Sequence, residues 1–122
     1  MRYMCLVHFD AALLRDPKFD RQDLDRRSLN YDAELRASGH YLTSAAVDTG
    51  EGAVLVRVRD GKMSATDGPF VETKEQMGGF VLIEARDMNE AVRLATGIPI
   101  ALLGTIEIRP VIEIDMPPPV AG

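Results

Sequence analysis

Apolar and polar residues follow two different periods along this chain, and those periods predict its elements. Strict alternation is typical of strands, and apolar residues spaced three or four apart are typical of amphipathic helices. The pattern predicts strands over residues 3–9, 41–47, 53–59, 62–66, 79–85 and 105–114. It predicts a first helix from an Asp20 cap to about Ala37, and a second helix that starts at Asp87 and ends before Pro99.

Local signals sharpen three of these elements. Asp60-Gly61 predicts a two-residue hairpin, because both residues tolerate the positive φ of a type I′ turn. Asp87 resembles the start of a capping box with an acidic residue three positions later. Thr73 is a candidate cap for a one-turn helix over residues 74–77.

The order of elements, with two strand-helix-strand halves joined by a hairpin, predicts a ferredoxin-like α+β sandwich. An antiparallel sheet would carry both helices on one face. The first strand is apolar on both faces, and Met4, Leu6, Val81 and Ile83 cannot all point at the helices together with their neighbours, so the other face of the sheet also needs a cover. A second copy of the sheet is the natural cover, and we expect a homodimer.

Length, charge and apolar content limit the kinds of partner that the protein is expected to bind. At 122 residues the chain predicts one domain over residues 1–114, followed by a flexible proline-rich tail at 115–122. The net charge of −5 argues against a nucleic-acid partner, since phosphate binding needs a basic face. No membrane-length apolar run or signal-peptide core is present, so we expect a cytoplasmic protein with no membrane partner. Cys5 reads as a buried hydrophobe.

The segment 66–80 holds most of the candidate chemistry, because it places a Gly-Pro turn, two further glycines and several charges between two strands. Asp67 is a candidate general base, or alternatively an Asx-turn residue that holds the backbone. Gly68 is expected to take a conformation that is costly for other residues, and Pro69 to set the turn. Gly78 and Gly79 are expected to permit a bulge or a close backbone approach.

Candidate ligand-binding residues lie in the same segment. Phe70 either walls an apolar pocket or sits in the core, with the core favoured. Glu72 and Lys74 either form exposed ion pairs with each other and Glu75 or bind a ligand, with Lys74 as a point charge for an anion. Thr73 is also a candidate ligand-binding residue.

Two residues outside the segment complete the candidate site. His8, where the first strand turns polar, is the best candidate acid–base group, with a hydrogen-bonded strand-end histidine or a dimer contact as the alternatives. Tyr31, on the apolar stripe of the first helix, is a candidate ligand-binding residue. Two isolated histidines make no zinc pattern, and no phosphate-loop motif is present, so we expect neither a metal nor another cofactor.

The block ATDGPFVETKEQMGGF at residues 65–80 resembles the signature of the DGPF group of YCII-related proteins. The resemblance to this group extends over about residues 1–114 and includes IEIRPV at 106–111. The resemblance implies a bacterial protein and a ferredoxin-like subunit that forms a dimeric α+β barrel. It also implies a genomic link to extracytoplasmic-function sigma factors. The histidine that shorter relatives carry near the start of the first helix is missing from residues 20–38.

Two functions follow as hypotheses. The first is a homodimer that binds a small molecule, with His8 and Asp67 as cofactor-free acid–base groups in a pocket between sheet and helices. The second is a non-catalytic sensor or regulatory module that binds a sigma factor. The sequence leaves open whether the protein is an enzyme.

Overall fold

The computed structural model describes residues 1–115. Strands and α-helices follow in the order β1 (Arg2–Asp10), α1 (Arg21–Ala37), β2 (Tyr41–Ala46), β3 (Val54–Arg59), β4 (Lys62–Asp67), β5 (Glu75–Glu84), α2 (Met88–Ala95) and β6 (Thr105–Pro110). Short 3-10 helices span Ala11–Arg15 and Pro99–Leu102. Of the predicted tail, 115–122, all but the first residue lies outside the described residues.

Four strands form one antiparallel sheet in the order β2-β5-β1-β6, so β1 and β5 are the central strands. The helices pack on one face of this sheet, which confirms the predicted ferredoxin-like α+β fold. The core between them joins Tyr3 and Cys5 of β1 to Val81 and Ile83 of β5, with apolar residues of α2 above. Cys5 is fully buried and Ile83 is 1% exposed.

The opposite face of the sheet is open. Because side chains alternate across a strand, Met4 and Leu6 lie on this face, next to Leu82 and Phe80 of β5 in register. All four are partly buried. Within the described residues, no helix covers these four side chains. The prediction that the first strand has an apolar side away from the helices agrees with this arrangement.

Strands β3 and β4 form a separate two-stranded ribbon. Asp60 and Gly61 have φ values of 52° and 73°, as the predicted hairpin turn requires. One face of the ribbon carries large apolar side chains that are 60–69% exposed. We call these four residues the hairpin stripe: Val54, Val56, Val58 and Met63.

The structure corrects two boundaries and one element. Strand β5 begins at Glu75, not at residue 79, and the one-turn helix predicted over 74–77 is absent. Residues 75–77 instead pair with Asp10, Phe9 and His8, because β1 offers free backbone partners there. Strand β6 ends at Pro110, not at residue 114. It runs antiparallel to β1, and at Pro110 it is already beside the start of β1, so few pairing partners are left.

The two helices begin with the same kind of N-terminal cap but differ in how many of their residues are buried. Asp20 caps α1 by accepting a hydrogen bond from the Asp23 amide at 3.0 Å, and Asp87 caps α2 through the Glu90 amide at 2.9 Å. Both predicted caps are therefore confirmed. Helix α2 buries half of its eight residues, but α1 buries only Leu35 of its seventeen. The inward face of α1 is therefore only partly covered, with Leu24 and Tyr31 packed against the core but not fully buried.

Candidate active site

The connection between β4 and β5 crosses the base of the hairpin ribbon. The Gly68 amide donates to the Ala53 carbonyl at 2.8 Å, and the Gly68–Pro69 peptide bond is cis. A Cβ at residue 68 would lie 2.9 Å from the Ala53 Cβ. The expectation of an unusual Gly68 conformation is wrong, because its φ is not positive. Close approach to Ala53 is what favours glycine here.

One glutamine side chain holds the rest of this connection in place by hydrogen bonds to backbone carbonyls. Gln76 Nε2 donates to the Val71 carbonyl at 3.1 Å and to the Thr73 carbonyl at 2.8 Å. Phe70 is 77% exposed, so the interpretation that it belongs to the core is wrong. The short connection cannot both follow the ribbon and return a large ring to the core, and Phe70 is left at the surface.

The predicted bulge is present in β5. Val7 pairs with Gly79 and His8 pairs with Met77, so Gly78 is the extra residue. A Cβ at residue 78 would lie 2.3 Å from the Phe9 ring, and one at residue 79 would lie 2.9 Å from the Ala45 carbonyl oxygen. Both glycines therefore allow close packing against neighbouring strands, as the sequence indicated.

His8 lies on the open face of the sheet, between the helix-facing Val7 and Phe9. Its Nε2 is 3.0 Å from Glu107 Oε1 on the neighbouring strand β6. Arg109 donates from Nε at 3.0 Å and from Nη2 at 2.9 Å to the other carboxylate oxygen of Glu107. His8, Glu107 and Arg109 thus form a polar chain along one face of β1 and β6, which we call the His8 triad.

Charge in the His8 triad is well defined. The Arg109 guanidinium, followed by the His8 ring, lowers the pKa of Glu107 below its ordinary value. Glu107 is therefore a carboxylate at neutral pH and can only accept hydrogen bonds. When His8 is neutral, Nε2 must carry the proton that it donates to Glu107, which leaves the Nδ1 lone pair as the base.

A cleft of about 510 Å³ opens beside His8. The signature segment supplies one wall through Pro69, Phe70 and Thr73, and the hairpin ribbon supplies Leu55. This volume lies within the range of small-molecule pockets, and the lining is mostly apolar with a few polar groups. The cleft therefore brings together three residues predicted for the site and His8.

Other predicted site residues lie elsewhere. Asp67 is exposed at the end of β4 and does not line the cleft with His8. Glu72 and Lys74 are exposed and form no ion pair within residues 1–115. Tyr31 donates a hydrogen bond to the Leu94 carbonyl and fastens α1 to α2. Tyr31 does not line the cleft beside His8.

Sequence reasoning missed Glu107 as the partner of His8. A signal was present, since Glu107 lies between Ile106 and Ile108 and so must face away from the helices, as His8 does. In a ferredoxin-like sheet the last strand pairs with the first, and this pairing places Glu107 diagonally across from His8.

Several other chemistries find little support in the described part of the chain. No cluster of three or more His, Cys, Asp or Glu within residues 1–115 is arranged to hold a metal ion. Burial raises the pKa of the Cys5 thiol to about 11, so the reactive thiolate is scarce. Neither helix in residues 1–115 has the length and apolar character needed to cross a membrane.

The fold and its open sheet face define a ferredoxin-like α+β protein, and comparison with known proteins identifies its family. The model of the YCII-related domain matches residues 1–115, so the chain belongs to the YCII-related family. An uncharacterised protein of Rhizobium meliloti (strain 1021) is 40% identical over 60 residues. That match covers 48% of each chain, so this protein aligns with about half the length of its curated relative.

A solved structure shares the fold. It is 5-chloro-2-hydroxyhydroquinone dehydrochlorinase (TftG) of Burkholderia phenoliruptrix AC1100, in complex with 2,5-dihydroxybenzoquinone. The two structures align with a TM-score of 0.54 over 91% of this chain and 93% of that chain. Their sequences are 16% identical, so the likeness shows the fold and not a shared reaction.

Proposed function

We propose that this protein is a homodimer that binds a small molecule in the cleft beside His8 and carries out acid–base chemistry on it without a cofactor. One observation carries the proposal. A histidine with a defined carboxylate partner, His8 Nε2 at 3.0 Å from Glu107 Oε1, lines an apolar cleft. This arrangement suits proton transfer near neutral pH, because histidine titrates there and the carboxylate orients its ring.

Each residue of the His8 triad has a separate role in this proposal. His8 removes or supplies a proton at the ligand. Glu107 holds the ring and stabilises the imidazolium that forms when His8 takes a proton. Arg109 keeps Glu107 ionised. Phe70 and Thr73 contact the ligand from the signature segment, and Glu107 takes the place that the sequence had assigned to Asp67.

The fold of the dehydrochlorinase TftG supports this class of function, since the solved structure of that protein holds a small quinone. That support is analogy at the level of fold. Enzymatic activity of this protein rests on the same analogy and depends on finding a ligand that it converts. A cytoplasmic location is proposed separately, from the apolar pattern of the sequence.

Native mass spectrometry of protein purified without added ligand tests the proposal first. We expect a dimer that carries an additional small molecule, and we expect its occupancy to fall at least about tenfold in His8→Gln. Lys62→Gln, at the exposed tip of the hairpin, is the matched control and should retain the molecule. If His8→Gln retains the same mass at the same occupancy, the cleft beside His8 is not the binding site.

The homodimer has its own structural support. A two-stranded ribbon is marginally stable by itself, and the hairpin stripe is an exposed apolar surface on such a ribbon. Packing the hairpin stripe against a second copy would remove it from water. Light scattering should give a dimer for the wild type and a monomer for Val56→Asp. A wild-type monomer at micromolar concentration would contradict the assembly.

A second candidate function uses the same surface. A regulatory module that binds an extracytoplasmic-function sigma factor would also present an exposed apolar ribbon to its partner. In that case the wild type is expected to pull down a sigma factor from its native host, and Val56→Asp should lose the partner. A wild-type dimer that recovers no sigma factor favours the first function.

A further inference from the structure

A second and larger cavity lies on the other face of the sheet, beneath α1. Its volume is about 1000 Å³. Residues of α1 form the roof, and residues of β1, β5 and β2 form the floor. It is separated by the sheet from the His8 triad, and none of its lining residues belongs to that triad.

The roof departs from the usual pattern of a sheet-packed helix. Leu24, Ser28 and Asp32 are spaced four apart on α1, so they share one face, and all three line the cavity. A helix that packed tightly on the sheet would carry apolar residues at these positions. The polar Ser28 and Asp32 therefore face an open space, not a core.

The floor is apolar and smooth. Phe9 lies across Gly78, whose missing side chain leaves room for the ring, and Val7, Val81 and Ile100 continue the surface. An apolar body of roughly the size of an aromatic ring fits such a floor.

Asp32 gives the cavity its chemical preference. Its Oδ2 accepts a hydrogen bond from Ser44 Oγ at 3.0 Å, and Tyr41 Oη lies 2.7 Å from the same Ser44 oxygen. Within residues 1–115, Asp32 forms no ion pair with any Lys, Arg or His. Only Oδ2 of this partly buried carboxylate is engaged by a side chain within the same residues, so the second oxygen, Oδ1, is available to a cation.

We propose that this α1 cavity binds a hydrophobic ammonium ion, with the apolar body on the Phe9 floor and the protonated amine bonded to Asp32. Ser28 accepts a second hydrogen bond from the ammonium, and Ser44 holds the carboxylate in place. The remaining charged lining residues do not reverse this preference. They are the acids Asp25, Asp48 and Glu51 and the bases Arg15 and Arg21, of which Arg15 lies 3.9 Å from Glu51.

Two probes of equal shape test the proposal by NMR titration of the uniformly ¹⁵N-labelled full chain. The probes are 2-phenylethylammonium and its neutral isostere 2-phenylethanol. We expect saturable shifts at the amides of Val7 and Val81, and about tenfold or greater preference for the ammonium, because hydrogen bonds to charged groups are the stronger ones. Asp32→Asn keeps the shape but removes the charge, and should reduce this ratio to about one.

Two variants serve as controls. Asp25→Asn removes a carboxylate from the same helix at the cavity rim and should preserve the preference. His8→Gln should also preserve it, so that failure of the His8 proposal and failure of this one are separable. Equal affinity for both probes, an unchanged ratio in Asp32→Asn, an equal loss in Asp25→Asn, or no saturable binding would each overturn the ammonium site.

Discussion

Gly104 joins the 3-10 helix after α2 to β6 and lies against the end of β1. A Cβ at this position would stand 2.1 Å from the His8 carbonyl oxygen and 3.0 Å from the Phe9 Cβ. Carbon–oxygen contacts in proteins lie at about 3.3 Å or more, so Gly104→Ala would force the two backbones apart by roughly 1.2 Å. No side-chain rotation can relieve this clash, because the position of a Cβ and that of a carbonyl oxygen are both fixed by the backbone.

The cost should fall at the upper end of the range for overpacked sites, about 3 kcal/mol. Urea unfolding followed by circular dichroism measures this free energy directly. Gly52→Ala is the matched control, because its Cβ would meet only the Asp48 carboxylate, at 3.4 Å, and it should stay within about 1 kcal/mol of the wild type. A Gly104→Ala loss below about 1 kcal/mol would refute the packing described for the junction of β1 and β6.

Three further outcomes are expected. Because its folded pKa is lowered, Glu107 stabilises the fold above the unfolded carboxyl pKa of about 4.3, and this contribution is lost as pH falls through the folded value. Arg109→Gln should therefore lower the urea midpoint at pH 6, and the difference from the wild type should shrink as the pH is lowered below about 4.3. Native Cys5 should react with Ellman's reagent far more slowly than in urea, since it is buried with a pKa near 11. Tyr31→Phe removes the hydrogen bond from α1 to α2 and should cost about 1 kcal/mol in urea unfolding.

Strand and helix order could be predicted from the sequence because alternation in β1 and the Asp20 and Asp87 caps are local signals. The start of β5 could not, since residues 75–77 are charged or flexible and become a strand only by pairing with β1. That pairing is a tertiary effect, which overrides local preference.

The candidate site was predictable in part. His8 was identified from its position where an apolar strand turns polar, and the signature segment does line its cleft. The partner of His8 lies 99 residues away in the chain, and the cavity beneath α1 results from how far the helix stands from the sheet. Neither the pairing of His8 with its distant partner nor the spacing between α1 and the sheet is encoded in a local sequence pattern. The exposure of Phe70 also depends on a cramped connection that composition does not reveal.

The uneven burial of α1 has a consequence for how this family can diversify. Leu35 is the one fully buried residue of α1, and Leu24 and Tyr31 pack against the core while partly buried, so most of the other residues of the helix can change without creating a core cavity. Those same residues roof the larger cavity, whereas its floor is set by core side chains and by glycines that cannot be replaced without a clash. Substitutions at the cavity-facing positions of α1 are therefore expected to change the lining of this cavity at little cost in the free energy of folding.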